Sequence, residues 1–113
     1  MDDEHYHLDE ALMRLERGLR SGGHMLACLQ LAELALKLDH AIRREERLLT
    51  VTGRPAIRIR QEHASLRRIV ASVAAALDRA DDRRARELIT QLRSVLLLHV
   101  AKEEPYLAAA REV

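Results

Sequence analysis

Helical periodicity is the feature of this sequence that most constrains its fold. Apolar residues recur every three or four positions in four segments, as they do along one face of an α-helix, and no segment alternates like a β-strand. Helices are predicted from about His5 to Arg20, from about His24 to Thr50, from near Pro55, and from Asp81 or Asp82 to nearly the C-terminus. The connections are short, so successive helices must run antiparallel. We therefore expect an all-α fold, an up-down-up-down antiparallel four-helix bundle.

Length and composition indicate a single domain over residues 1–113, which is long enough to bury a core. Hydrophobic residues make up 48% of the chain but aromatic residues only 2%, with no Phe or Trp. Leu, Ala, Val and Ile must therefore supply nearly all of the packing, and Ala and Leu also favour helices.

Charge and cysteine content exclude several classes of partner and location. The formal net charge of +1 comes from interspersed acidic and basic residues, so neither nucleic acid nor a membrane surface is an expected partner. The single cysteine, Cys28, cannot form an internal disulfide and suits a reducing compartment. The acidic start MDDEHYHLDE is unlike a signal peptide, and no apolar stretch approaches the length of a membrane span. A cytoplasmic location is predicted.

Histidine and glutamate residues gather at one end of the predicted bundle. In this topology the starts of helices one and three lie beside the ends of helices two and four. That end carries the candidate metal ligands His5, His40, Glu45, His63, His99 and Glu103. Of the histidines, the opposite end carries only His24.

Most of these side chains are predicted to face the interior. Positions four apart on a helix share a face, so His99 points the same way as the glutamate four residues later. His5 and His63 are in phase with leucine stripes that begin at Leu8 and Leu66. Buried imidazoles and carboxylates are costly without partners. A cation between them would supply the partner, and four-helix bundles hold metal sites built from such pairs.

The sequence also repeats after about 58 residues. Residues 4–19 (EHYHLDEALMRLERGL) align with 62–77 (EHASLRRIVASVAAAL), and 41–49 (AIRREERLL) with 99–107 (HVAKEEPYL). His5 then falls on His63, and Glu45 on Glu103. Two helix pairs, each with a histidine arm and a glutamate arm, are expected to face one another.

The motifs HVAKEE at 99–104, QEHASLRRI at 61–69 and EH at 4–5 resemble the hemerythrin-like, or HHE cation-binding, family. That family's pattern is H, HxxxE, H and HxxxE along four antiparallel helices, and the resemblance covers essentially the whole chain. It implies a non-haem di-iron centre with two iron ions, oxo- or hydroxo-bridged, in which histidines are terminal ligands and two glutamates bridge. Imidazole and carboxylate ligands suit iron, and they also suit manganese or zinc.

The first half departs from this pattern at one position. The residue equivalent to His99 is Ala41, whereas the histidine stands one residue earlier, at His40, and one residue is a rotation of about 100°. Glu45, in line with Leu38, is the side chain of this arm that is predicted to face the core. Three arrangements are open: a π-bulge between 40 and 45 re-aims the pair, His40 reaches the site from the side, or the arm contributes Glu45 alone.

Three further residues beside the site are expected to have secondary roles. Glu46 and Glu104, each next to a proposed bridging glutamate, are expected to contact the ligands from outside or to be exposed, with Glu104 as an alternative to Glu103. His7 points away from the leucine stripe and is expected to be solvated.

The expected function is binding of dioxygen or a related small ligand, nitric oxide or peroxide, for sensing, storage, or iron and oxidant handling. The chain offers at most four histidines at that end, one fewer than the oxygen-carrying hemerythrins it resembles, so more coordination positions stay open. No general acid or base outside the ligand set is identified, and whether the chain is an enzyme is left open. The alternative is a metal-free helical interaction module with a degenerate site. Leucines cover more than one stripe of helix two, which favours a partner subunit such as that of a homodimer.

Overall fold

Four α-helices make up the described part of the chain. The computed structural model describes the backbone of residues 3–21, 23–52 and 57–111, and the side chains of residues 7–21, 23–50 and 57–99. The helices are α1 (Asp3–Ser21), α2 (His24–Thr52), α3 (Ile57–Asp78) and α4 (Asp82–Arg111), and no β-strand occurs in these ranges. The predicted start of the third helix near Pro55 lies outside the described residues.

The helices pack as an antiparallel bundle with a central pair. α1 and α3 each pack against both α2 and α4. α2 and α4 also contact each other across the bundle, whereas the described residues of α1 and α3 make no such contact. The predicted all-α four-helix bundle is thus confirmed, with α2 and α4 at its centre.

The turn between α3 and α4 explains where both helices end. Ala80 has a positive φ of 56°. The Asp81 amide donates to the Ala76 carbonyl (2.9 Å) and the Ala80 amide to the Leu77 carbonyl (3.0 Å), which is the Schellman pattern of a helix C-terminus. Asp81 Oδ1 then accepts a hydrogen bond from the Arg84 amide (3.1 Å) and caps α4. Of the two aspartates predicted to cap this helix, the first is the one that does so.

Leucine and alanine form nearly all of the core, as the composition predicts. The largest side chains with almost no exposure include Leu12, Leu15, Leu34, Leu66, Leu77 and Leu92. Because these residues recur at helical spacing on all four helices, each helix turns one apolar face inward.

Burial follows the 58-residue repeat along the central pair. Five buried positions of α2 have buried counterparts 58 residues later in α4: Ala27 and Ala85, Leu31 and Ile89, Leu34 and Leu92, Leu38 and Leu96, and Ala41 and His99. The two central helices therefore present the same register of side chains to the interior, with a methyl group in α2 where α4 carries an imidazole.

Ion pairs on the outer surface join neighbouring helices. Arg67 binds Asp39 (3.1 Å) between α3 and α2, and Arg93 binds Glu16 (3.0 Å) between α4 and α1. Between α1 and α2, Glu33 lies 3.4 Å from a nitrogen of the Arg14 guanidinium. A hydrogen bond from the neighbouring Lys37 and the charge of Arg14 lower the pKa of the Glu33 carboxyl. Because these ion pairs are partly exposed, each adds little to the free energy of unfolding.

Large apolar side chains remain exposed on α2. Met25, Leu29 and Leu36 are 76%, 64% and 67% exposed. Such exposure is what a subunit interface would cover, and the homodimer stays a prediction.

Within the described ranges, no helix is both long enough and apolar enough to cross a bilayer.

Candidate metal centre

Three helices bring one glutamate and two histidines together inside the bundle. Glu45 of α2, His63 of α3 and His99 of α4 are 5%, 0% and 4% exposed. Each lies in helical phase with buried apolar neighbours, Glu45 with Ile42 and His63 with Leu66, so the same periodicity that builds the core aims these polar groups inward. The contact between α2 and α4 across the bundle lets Glu45 and His99 share one site.

The ligand atoms of these three residues converge on one point. His63 Nε2 lies 2.9 Å from Glu45 Oε2 and 3.1 Å from His99 Nε2, and His99 Nε2 lies 3.5 Å from the same glutamate oxygen. The planes of the two imidazole rings are inclined by 68°, and their centroids are 4.8 Å apart. The two Nε2 atoms, at 3.1 Å, are much closer than the centroids, so each ring turns its Nε2 atom toward the other ring.

The opposite nitrogen of each imidazole is held by a second carboxylate. His63 Nδ1 donates to Glu46 Oε1 (3.0 Å), and His99 Nδ1 donates to Glu62 Oε2 (2.7 Å). A carboxylate only accepts, and Glu45 Oε2 also lies 2.9 Å from His63 Nε2, so without a cation a proton must lie between these two atoms. With a cation at the centre, each neutral ring keeps its proton on Nδ1, and Nε2 presents its lone pair to the cluster. Metal-binding histidines are usually oriented by a carboxylate in this way.

The charge distribution favours a cation at the centre. Glu45, Glu46 and Glu62 place three carboxylates around two imidazoles, and the three atoms that converge can each offer a lone pair to a metal ion. Acceptors at such separations repel one another unless a cation or a proton lies between them. A divalent ion would offset the negative charge that burial makes costly.

The spacing of the donor atoms also fits a metal ion. A point just off the plane of the three atoms lies roughly 2 Å from each of them, which matches usual metal–nitrogen and metal–oxygen bond lengths. Two histidines and one carboxylate with open positions are typical of non-haem Fe(II), and the same donor set also binds zinc. Glu45, His63 and His99 therefore fit a bound transition-metal ion.

A surface groove reaches the outer edge of the cluster. It runs between α3 and α4 with a volume of about 540 Å³, and Glu62 and His99 are among the residues that line it. Glu62 and Glu46 keep 22% and 31% of their side-chain surface exposed. The carboxylates that hold the imidazoles therefore lie between the buried centre and solvent.

The other sequence-predicted ligands are not part of the described cluster. His40 is exposed and borders a small depression that is also lined by His7 and Lys37. α2 is regular α-helix through residues 40–45, so no π-bulge turns this side chain inward, and Glu45 is the residue that α2 contributes among the described side chains. The predicted ligands His5 and Glu103 lie outside the described side chains. His7 is exposed, as expected.

Sequence reasoning did not identify Glu62. The sequence does place Glu62 directly before His63, which puts it about 100° around α3 from the buried face. It does not show which neighbouring helix that side of α3 contacts, because this depends on how the helices are rotated in the bundle. Glu46, expected to be an outer partner or exposed, takes the equivalent place beside Glu45 and holds His63.

Comparison of the chain with known protein families, curated proteins and solved structures gave no significant match. The geometry of the cluster formed by Glu45, His63 and His99 is therefore what bears on function.

Proposed function

We propose that this chain is a hemerythrin-like non-haem iron protein that holds a di-iron centre inside a four-helix bundle. Its function is to bind dioxygen or a related small ligand, nitric oxide or peroxide, in sensing, storage, or iron and oxidant handling. The observation that carries the proposal is the convergence of Glu45 Oε2, His63 Nε2 and His99 Nε2 from three helices to within 3.5 Å of one another.

The described residues have distinct roles in this proposal. Glu45, His63 and His99 hold the first ion, and Glu46 and Glu62 fix the tautomer and direction of the two imidazoles. His5 and Glu103 are proposed ligands of the second ion, by their resemblance to the family pattern and by the 58-residue repeat. Coordination positions that the protein leaves open are where a small ligand would bind.

The competing proposal is a metal-free interaction module. In that case a proton shared among Glu45, His63 and His99 must replace the cation, and the exposed leucines of α2 would be the functional surface. The carboxylates on the outer nitrogens favour the metal, because they accept the Nδ1 protons and leave both Nε2 atoms able to bind an ion.

Metal analysis separates the two proposals. Protein purified without chelator, or loaded with Fe(II) without oxygen, is expected to retain iron through gel filtration and to develop a near-ultraviolet band on exposure to air. Bound metal should also raise the thermal midpoint, because an ion that binds only the folded state stabilises it, by about 4 kcal/mol at a thousandfold excess over Kd. Purified protein that retains no metal and has the same midpoint with and without chelator would support the interaction module.

A further inference from the structure

We infer that the two halves of this metal centre are unequal: Glu45, His63 and His99 bind one ion tightly, and the symmetry-related second position is one ligand short because Ala41 stands where α4 carries His99. This inference rests on the proposed function and specifies how that centre is loaded.

The repeat relates the two positions. A shift of 58 residues carries Glu45 to Glu103 and His63 back to His5, so the second position would take a glutamate from α4 and a histidine from α1. The helix contacts agree with a two-fold relation, because α2 and α4 meet at the centre while α1 and α3 flank them. The third ligand of the second position would come from α2, at the residue equivalent to His99.

That residue is Ala41, and its burial establishes the equivalence. Ala41 is 3% exposed and His99 4%, and the four preceding buried positions of α2 and α4 also match at the same shift. A methyl group has no lone pair and cannot ligate a metal. α2 therefore turns a non-ligating side chain toward the interior at the position where α4 supplies an imidazole.

The neighbouring histidine does not replace the missing ligand. His40 is exposed, and its counterpart in α4, Leu98, is exposed as well. Because α2 is regular α-helix here, the offset of one residue is a rotation of about 100°, which keeps His40 on the outer surface.

The consequence is stepwise loading. Besides the glutamates, which bridge the ions in the family pattern, the first ion has two histidine ligands that are each held by a further carboxylate. By the same pattern, the second position would have one histidine, His5. Loss of even an outer partner of a metal ligand lowers affinity by about 10- to 100-fold. A missing ligand should cost at least as much, so the second ion should bind at least tenfold more weakly and be the first one that a chelator removes.

Calorimetric titration of the metal-free protein with Fe(II) under nitrogen tests this inference. The wild type should show one tight equivalent followed by a weaker one. Ala41→His should strengthen the second step at least tenfold, and His40→Ala, the matched control, should leave both steps unchanged. Circular dichroism should be recorded on each variant, because a larger side chain in the core can unfold the protein.

Each outcome bears on a defined claim. Two equally tight equivalents in the wild type, or loss of one ion in His40→Ala, would overturn the inequality while leaving the metal-binding function in place. A folded Ala41→His variant with an unchanged second step would also overturn it. If that variant does not fold, the wild-type and His40→Ala titrations still decide the question. A wild type that binds no iron would refute the proposed function itself.

Discussion

His63 and His99 direct their Nε2 atoms at each other across 3.1 Å, while the Nδ1–H group of each ring donates to a different glutamate. The glutamate that holds each histidine lies on the preceding helix in the chain: Glu46 of α2 holds His63 of α3, and Glu62 of α3 holds His99 of α4. Each contact thus joins two neighbouring helices at the level of the site. The same hydrogen bonds that orient the rings therefore also fix the spacing of the three helices around the candidate metal centre.

Replacing His99 by Ala is expected to lower the metal content sharply. The substitution removes one of the three converging donor atoms and leaves Glu62 without its imidazole partner. Iron retained after gel filtration, measured by mass spectrometry, should fall at least tenfold. His24→Ala is the matched control, since His24 is exposed and begins α2 at the opposite end of the bundle, and it should bind as much metal as the wild type. Equal metal in both variants would contradict the role assigned to His99.

Glu62→Gln is expected to weaken metal binding about tenfold without removing a ligand. An amide oxygen accepts from His99 Nδ1 less strongly than a carboxylate, so the ring becomes a poorer donor to the metal. Competition with a coloured chelator measures the change in Kd. Glu87→Gln, an exposed site whose carboxylate pairs with Arg83 and Arg84, is the control and should leave Kd unchanged. An unchanged Kd in Glu62→Gln would show that Glu62 does not tune the site.

Features that depend on the periodicity of a single helix could be predicted well from the sequence. The inward direction of Glu45 follows from its phase with Leu38. For His40, one residue before the buried Ala41, the sequence left three arrangements open, and the regular α2 helix with an exposed His40 decides among them. The direction of Glu45 depends only on helical periodicity, which the sequence carries directly. The four-helix bundle follows in the same way from leucine stripes and short connections.

Contacts between helices could not be predicted to the same degree. The hydrogen bond from His99 to Glu62 depends on the rotation of α3 against α4, which packing of many side chains decides together. The positive φ of Ala80 is another case, because alanine rarely takes this conformation and nothing local marks the position. It is required by the way α3 must end before Asp81 caps α4.

Asp81→Ala is expected to destabilise the protein by about 1 kcal/mol, since it removes the acceptor for the Arg84 amide at the start of α4. Urea unfolding followed by circular dichroism measures the loss as a lower midpoint with an unchanged slope. Asp81→Asn retains an acceptor oxygen and should stay within about 0.5 kcal/mol of the wild type. Equal destabilisation by both substitutions would mean that the charge, rather than the cap, is what matters.

Replacing Ala80 and replacing Ala71 by glycine are expected to change the free energy of unfolding in opposite directions. Ala80→Gly should stabilise the protein by about 0.5–1 kcal/mol, because a φ of 56° is strained for alanine and free for glycine, and this relief exceeds the entropy that glycine adds to the unfolded chain. Ala71→Gly, at an exposed position inside α3, lacks that relief and should destabilise by about 1 kcal/mol. Urea unfolding of both variants, without added metal, measures the two changes. Destabilisation by both substitutions would show that the Schellman turn at Ala80 is not the conformation that the protein adopts in solution.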